Sequence, residues 1–288
     1  MKKIGFLVLA NLFLAFYSSY YFYWGSHLNV LPIEPTITAF NIGQGDALFV
    51  PIPKTSIQIL IDGGPPNKNL IEKIKKEMPR GDKTIDLVFL THCHEDHLGG
   101  LGEVLDNFKV GLWVETGAVC ENNLYKDLES KINSQKIPRL YSARGQKIKI
   151  GNFFLAEVVH PFFSVGAEYK NENEASLSLL LDYAGKVVFL SGDLENKGEQ
   201  VLLNYLESKP EIKEKLKNTS MLKANHHGSS GSNSKEFFSL FPSGTNILIS
   251  SGKENKFGHP GEEAIKRMKD KEFKIKRTDQ DGEITLLF

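Results

Sequence analysis

Between Thr91 and Gly100 the chain reads Thr-His-Cys-His-Glu-Asp-His-Leu-Gly-Gly, so three imidazoles and two carboxylates fall between His92 and His97. His92 and His94 alternate along an extended segment and can point the same way, and Asp96 and His97 follow as the chain turns into a helix. Imidazole and carboxylate together suit zinc, manganese or iron. The chemistry expected of such a cluster is metal-assisted hydrolysis. A solvated cluster arising by chance is disfavoured by this spacing.

The other chemistry-bearing residues recur in short polar, Gly-containing segments. Ile61-Asp-Gly-Gly64 ends one apolar run, Ser191-Gly-Asp-Leu-Glu195 a second, and Asn225-His-His-Gly-Ser229 a third. Phe257-Gly-His-Pro260 closes a loop after a fourth, and Gly43-Gln-Gly-Asp46 joins two early runs. Each alone is weak, because Gly and Asp are common turn residues. Together they place acids and imidazoles at the ends of many strands, where sites are built. Of the eight histidines, His27 lies in a linker and receives no role, and His160 reads as structural.

The elements that must position these residues alternate. Strands are expected at Thr36–Ile42, Ala47–Val50, Ile57–Ile61, Ile85–Leu90 and Leu112–Glu115, with helices at Leu70–Met78, Asp96–Phe108 and Leu124–Ile132. A second strand-rich block follows from Ile148 to Leu190, then a helix at Lys197–Leu206. Further strands fall at Met221–Ala224, Ile247–Ser250, Phe273–Lys276 and Ile284–Phe288, with helices at Lys235–Leu240 and Glu262–Met268 between them. Two packed sheets with helices on their outer faces satisfy this α/β (α+β) order. Gly99 and Gly100 are read as letting helix and sheet approach closely.

The chain has 288 residues, with 35 Lys and Arg balanced by 35 Asp and Glu. Lys2 and Lys3 precede the first long apolar run, leaving the remainder slightly acidic. This lacks the basic excess of a non-specific nucleic-acid wrapper. The apolar run Ile4–Tyr17 and the aromatic cluster after it make residues 1–26 a signal peptide or signal anchor. Residues 27–35 form a linker closed by Pro32 and Pro35, and residues 36–288 a single domain. Lysines ahead of the run place that domain outside the cytoplasm, membrane-anchored or secreted after cleavage. Cys93 and Cys120 are expected to be free thiols, since two are too few for a disulfide framework and pairing Cys93 would strain the His loop.

The His92–His97 run, with Asp62, Asp193 and a later His, resembles the metallo-β-lactamase superfamily. Ile42-Gly-Gln-Gly-Asp46, Asn173-Glu-Ala-Ser-Leu177, Gly192-Asp-Leu-Glu195, His226-His-Gly-Ser229, Gly258-His-Pro260 and Arg277-Thr-Asp-Gln-Asp-Gly282 look like the extracytoplasmic hydrolase domain of ComEC competence proteins. The resemblance runs from about Thr36 to Phe288 and implies a metallo-β-lactamase-like αββα four-layer sandwich. It also implies two divalent metal ions, zinc or manganese. His92 and His94 would hold the first, and Asp96, His97 and one of the pair His226 and His227, taken as His226, the second. Asp193 would bridge the two, and Asp96 would serve catalysis as well.

Many members of the superfamily carry one more His about twenty residues before the bridging Asp. Here Asn171, Asn173 and Ser176 occupy that region, leaving the first metal one imidazole short. ComEC domains commonly carry Asp where this chain has His94. The implied mechanism is attack by a metal-activated hydroxide on a phosphorus or carbonyl centre. His227, His259 and Lys223 are candidates to contact a phosphate or protonate a leaving group. For Lys223 the alternative is a solvated charge. Asp62, Gln44, Asp46 and Asn173 are candidates to orient the ligands, and Asp46 alternatively stabilises a turn.

The function expected first is a phosphodiesterase, a nuclease acting on DNA or another nucleic acid outside the membrane, with competence and DNA uptake as the implied setting. A phosphorylcholine-esterase-like enzyme acting on a small or wall-polymer diester is the enzymatic alternative. A non-catalytic, membrane-tethered binding protein with the same fold is the alternative from another class.

Overall fold

The structure is a computed structural model describing residues 34–66, 69–162 and 165–288. The expected signal or anchor segment and His27 lie outside the described residues. Among the described residues no helix is long and apolar enough to cross a membrane. Residues 34–288 form one compact unit.

Strands β1 (Thr36–Ala39), β2 (Leu48–Pro51), β3 (Gln58–Ile61), β4 (Thr84–Phe89), β5 (Lys109–Glu115) and β6 (Arg139–Tyr141) build the first sheet. Strands β7 (Lys147–Ile150), β8 (Phe154–His160), β9 (Ser178–Tyr183), β10 (Lys186–Leu190), β11 (Thr219–Lys223), β12 (Asn246–Ile249) and β13 (Lys274–Arg277) build the second. Strand β14 (Ile284–Leu287) returns to pair antiparallel with β1, giving the order β14-β1-β2-β3-β4-β5-β6 in one sheet and β13-β12-β11-β10-β9-β8-β7 in the other. Within each sheet the pairs β3–β4–β5–β6 and β10–β11–β12–β13 are parallel.

Strand periodicity accounts for the layering. Along β3, Ile59 and Ile61 enter the core between the sheets while Leu60 packs under the outer helices; along β9, Leu179 and Leu181 face inward and Leu180 outward. Strands apolar on both faces must be covered on both sides. Helices Asn69–Glu77, Leu101–Asn107 and Asn123–Ser134 cover the first sheet, and Asn196–Glu207, Pro210–Leu216, Lys235–Phe238 and Glu262–Asp270 cover the second. The expected αββα sandwich is present.

The structure departs from the expected elements at a few points. The single helix expected over Asp96–Phe108 is two, Glu95–Leu98 and Leu101–Asn107. The backbone N–H of Gly100 leaves the helical ladder and donates to Gly64 O at 3.0 Å. A Cβ on Gly100 would stand 2.2 Å from Gly63 O, so only glycine permits this approach. The three-residue strand β6 and the helix Pro210–Leu216 carried too few apolar residues to register by periodicity.

The cysteines correct a second expectation: Cys93 and Cys120 form a disulfide across a Cα–Cα separation of 6.2 Å. Strands β4 and β5 are parallel neighbours, so the loops leaving them lie side by side. Asn122 Nδ2 also donates to Cys93 O at 2.8 Å, so the pairing follows from the sheet and imposes no reach.

His160 is structural, as read: it is buried, with Nδ1 3.1 Å from Ser176 O. Burial pushes its pKa down to about 4, with Arg144 adding to the effect and Ser176 O opposing it. The unfolded chain takes up this proton near the usual 6.5, the folded chain only near 4. The stability that neutral His160 contributes is therefore complete above about 6.5 and lost as pH falls from there to about 4, by roughly 3 kcal/mol in all. Thermal melts between pH 7 and pH 4.5 should show that slope, and His160→Gln should flatten it.

Candidate metal centre

Every candidate ligand leaves the carboxyl end of a parallel strand, where open α/β sheets place their sites. Asp62 follows β3, Thr91 to His97 follow β4, Asp193 follows β10, His226 and His227 follow β11, and His259 lies on the loop after β12. Backbone bonds lock the first two of these segments to each other and to the loop at Asp46. Asp46 N–H donates to Asp96 O at 3.1 Å, Gly64 N–H to Asp46 O at 2.7 Å and Gly63 N–H to His97 O at 2.6 Å.

Asp62 is the main anchor. Its carboxylate accepts from Thr91 N–H at 2.8 Å and from the Thr91 hydroxyl at 2.7 Å, and meets His97 Nδ1 at 2.7 Å. The residue is buried and has φ of +59°, a left-handed conformation uncommon for a residue with a Cβ. Burial raises its pKa, with His97 and Thr91 partly offsetting that rise. Held at Nδ1, His97 directs Nε2 to 3.2 Å from Asp193 Oδ2.

His227 is held in the same manner. Its Nδ1 lies 2.8 Å from Ser250 O and 3.4 Å from Asp46 Oδ1, and its Nε2 stands 3.2 Å from both Asp96 Oδ2 and Asp193 Oδ2. One ligand atom from each of Asp96, His97, Asp193 and His227 lies within 4.8 Å of the others.

This group fits a divalent cation. The buried atoms His97 Nε2, His227 Nε2 and Asp193 Oδ1 have no hydrogen-bond partner, although buried polar atoms ordinarily find one. Burial opposes the charge on His97 and His227, yet the neighbouring carboxylates, Asp193 first in each case, hold both imidazoles well above the usual range. Burial likewise opposes ionisation of Asp193, and His227 and His97 hold it well below the usual range. A cation in their midst would replace protons that the carboxylates otherwise draw onto the imidazoles.

His92 and His94 adjoin this group. The His92 ring lies 4.2 Å from the His97 ring, centroid to centroid, and His92 Nε2 is 3.1 Å from His94 Nδ1. Among the described residues, neither cluster of three or more convergent ligands includes them. The segment where the resemblance lacks a His contributes Glu172 instead, whose Oε2 lies 3.3 Å from His94 Nε2.

The expected assignments divide as follows. Asp96, His97 and Asp193 come together, and of the adjacent pair it is His227, not His226, whose Nε2 reaches the group. His226 Nε2 stops 3.8 Å from Asp193 Oδ2, and its Nδ1 faces Glu195 at 3.4 Å. Both residues have positive φ, +45° and +53°, and this tight turn sends the two rings different ways.

Lys223 is neither solvated nor at the reacting centre. It is buried, with Nζ 2.9 Å from Asp46 Oδ2 and 2.7 Å from Ala224 O, so it cannot touch a substrate. Asp46 therefore does more than stabilise a turn. Burial opposes its charge, but Lys223 and His227 hold its pKa down at about 2.

Gln44 braces a neighbouring turn, accepting from Gly252 N–H at 3.1 Å. Asn173 donates to Glu195 Oε1 at 2.8 Å. His259 stands at the rim, its ring 5.0 Å from that of His226 and 6.3 Å from that of His227. Burial first, then His226 and His227, hold its pKa at about 4, so it presents a neutral imidazole.

Sequence reading missed Glu172, Thr91 and Glu199. Glu199 is buried and accepts from Asn225 Nδ2 at 2.5 Å and Asn233 N–H at 2.5 Å, fixing the turn that carries His227. A lone Glu on a helix carries no sequence signal for that role.

Residues 43–252 match the description Metallo-beta-lactamase superfamily. The chain belongs to the metallo-β-lactamase superfamily. Over 270 residues it is 30% identical to ComE operon protein 3 of Bacillus subtilis (strain 168), an alignment taking in 88% of this chain and 33% of that protein. The chain thus spans about a third of that relative's length.

Solved structures with the same fold include CmlA, a diiron β-hydroxylase from Streptomyces venezuelae (TM-score 0.55, 14% identity, 89% of this chain and 55% of that one). Zn(2+)-bound PqqB from Methylobacterium extorquens has a TM-score of 0.53 at 12% identity, covering 88% of this chain and 100% of that one. The metallo-beta-lactamase fold protein YhfI from Bacillus subtilis has a TM-score of 0.50 at 11% identity, with 88% and 100% covered. At these identities the shared superfamily fold is what the structures show.

Two substitutions at one dipeptide test this centre. His227→Ala should abolish tight cation binding, whereas His226→Ala should retain it, read by metal analysis after dialysis and by chelator competition. Asp62→Asn should weaken the cation by about 10- to 100-fold through loss of the carboxylate behind His97.

Proposed function

We propose that this chain is a metal-dependent phosphodiesterase that cleaves nucleic acid outside the cytoplasm. The observation that carries the reading is the convergence of Asp96, His97, Asp193 and His227, with buried ligand atoms unpartnered, beside the His92–His94 pair. In this reading Asp96, His97, Asp193 and His227 hold one divalent cation. His92 and His94 hold a second, with Glu172 fixing His94 in place of an additional imidazole. Cations so held would lower the pKa of a water and draw charge from the oxyanion that develops at phosphorus.

The chain's own residues do the rest. Asp62, Ser250 and Asp46 fix the two buried imidazoles so that Nε2 of each faces the reacting centre. Asp96 combines burial on one side with a side chain 29% exposed, so the group opens towards solvent and substrate. His226 and His259 stand on that open side as neutral hydrogen-bonding groups for phosphate oxygens.

Three observations support the finer points. The motif resemblance to competence-protein hydrolase domains favours a diester of nucleic acid. The segment Asn171–Ser176 lacks the additional His of lactamase-like and lactonase-like members, which disfavours those reactions. The Cys93–Cys120 disulfide is the chemistry of an oxidising compartment, in keeping with an extracytoplasmic position on a membrane-anchored or secreted chain.

The full chain should hydrolyse bis-p-nitrophenyl phosphate with added Mn²⁺ or Zn²⁺, and Asp193→Ala should lower turnover at least about 100-fold with its fold retained by circular dichroism. Single-stranded DNA, double-stranded DNA and phosphorylcholine-bearing wall polymer, assayed side by side, decide the substrate. Full metal occupancy with no turnover on any of them would make the chain a binding protein.

A further inference from the structure

The loop after β12 holds an aromatic ring in the open beside the metal centre. Phe257 is 57% exposed, whereas most phenylalanines of the described residues are buried. Isolated exposed apolar residues need no explanation by themselves. Phe257 differs in how its backbone is held and in what its ring touches.

The holding is done by Asn255. Its Oδ1 accepts from Phe257 N–H at 3.2 Å and from His259 N–H at 3.0 Å. Its Nδ2 donates to Gly252 O at 2.9 Å and to His259 O at 2.5 Å. Gly258, at φ of +68°, supplies the left-handed turn between the two rings. The ring is thus presented from a fixed loop, which lowers the ordering entropy a ligand would have to offset.

The ring also stands in line with the site. Phe257 stacks on His259 at 27° with centroids 6.0 Å apart, and His259 lies 5.0 Å from His226 and 6.3 Å from His227. His259 Nδ1 is buried without a hydrogen-bond partner. The exposed Lys256 ammonium lies over the Phe257 ring, 5.2 Å from its centroid, on a long solvated stem that a stacking base can displace. Among the described residues the other strongly exposed phenylalanine is Phe162, whose ring carries the Arg144 guanidinium at 3.9 Å, closer than Lys256 stands to Phe257.

We infer that Phe257 is a stacking platform for an unpaired nucleobase of the substrate strand, with Lys256 placed for a flanking phosphate. The inference rests on the diesterase reading above and adds what selects the substrate. An aromatic face accepts any base, because every base has a π-face, but it needs that base unpaired. Single-stranded nucleic acid is therefore preferred over duplex. The neutral overall charge is compatible with this, because stacking supplies affinity that does not depend on a basic groove.

The test compares a single-stranded oligothymidylate with an abasic strand of equal length, by fluorescence anisotropy on the full chain with divalent cations chelated. Native protein should bind the base-bearing strand at least about 5-fold more tightly. Phe257→Ala should bring that ratio close to one, and Phe257→Trp should restore it. A ratio unchanged in Phe257→Ala, or a ratio of one in the native protein, overturns the platform. Binding is read without turnover, so the two readings fail separately. Cleavage with an unchanged ratio removes the platform and keeps the diesterase; a Phe257-dependent ratio without cleavage keeps the platform and removes the diesterase.

Discussion

The carboxylate of Asp62 joins three parts of the molecule that have no covalent reason to meet. It sits at the end of β3, takes both the backbone N–H and the hydroxyl of Thr91 at the end of β4, and orients His97 on the short helix beyond. The left-handed backbone at Asp62 lets a side chain at a strand end turn back under the histidine loop. Gly63 and Gly100 bring the backbones close enough for that turn to close. Without this contact the imidazole of His97 would rotate freely, and the shared geometry of the ligands would be lost.

A second set of buried charges does the same service on the opposite side. Lys223, Asp46 and His227 form a chain in which each charge is compensated by its neighbour, ending at the imidazole that faces Asp96 and Asp193. Burying ions is costly unless they are paired and hydrogen-bonded. Here the ammonium also has a backbone carbonyl and the imidazole has Ser250 O. At the centre itself His97 Nε2, His227 Nε2 and Asp193 Oδ1 are left without a hydrogen-bond partner, where a cation is expected.

The superfamily fold explains where the site is, but the chemistry is set by the residues at the strand ends. Structures sharing this fold include a diiron hydroxylase as well as other metal-binding proteins. In this chain Glu172 stands near His94 where the resemblance lacks an imidazole. The disulfide at Cys93 ties the histidine loop to the neighbouring loop, and Asn255 pins the turn that carries His259.

Much of this was legible in the linear chain. Alternating apolar runs set the two sheets and their outer helices, because burial on both faces leaves a periodic signature. The His92–His97 run and the carboxylates at strand ends marked the metal centre and the superfamily, because ligand types and spacing are local properties. Three decisions were not local. Whether His226 or His227 faces the centre depends on a turn whose two left-handed residues invert the order that adjacency suggests. Whether Lys223 is solvated or paired depends on Asp46 arriving from the other sheet. Whether Cys93 meets Cys120 depends on β4 and β5 being parallel neighbours. Each concerns a side-chain direction that the tertiary fold sets: strand pairing within the first sheet for the cysteines, packing of one sheet on the other for Lys223, and the pinned turn after β11 for His227.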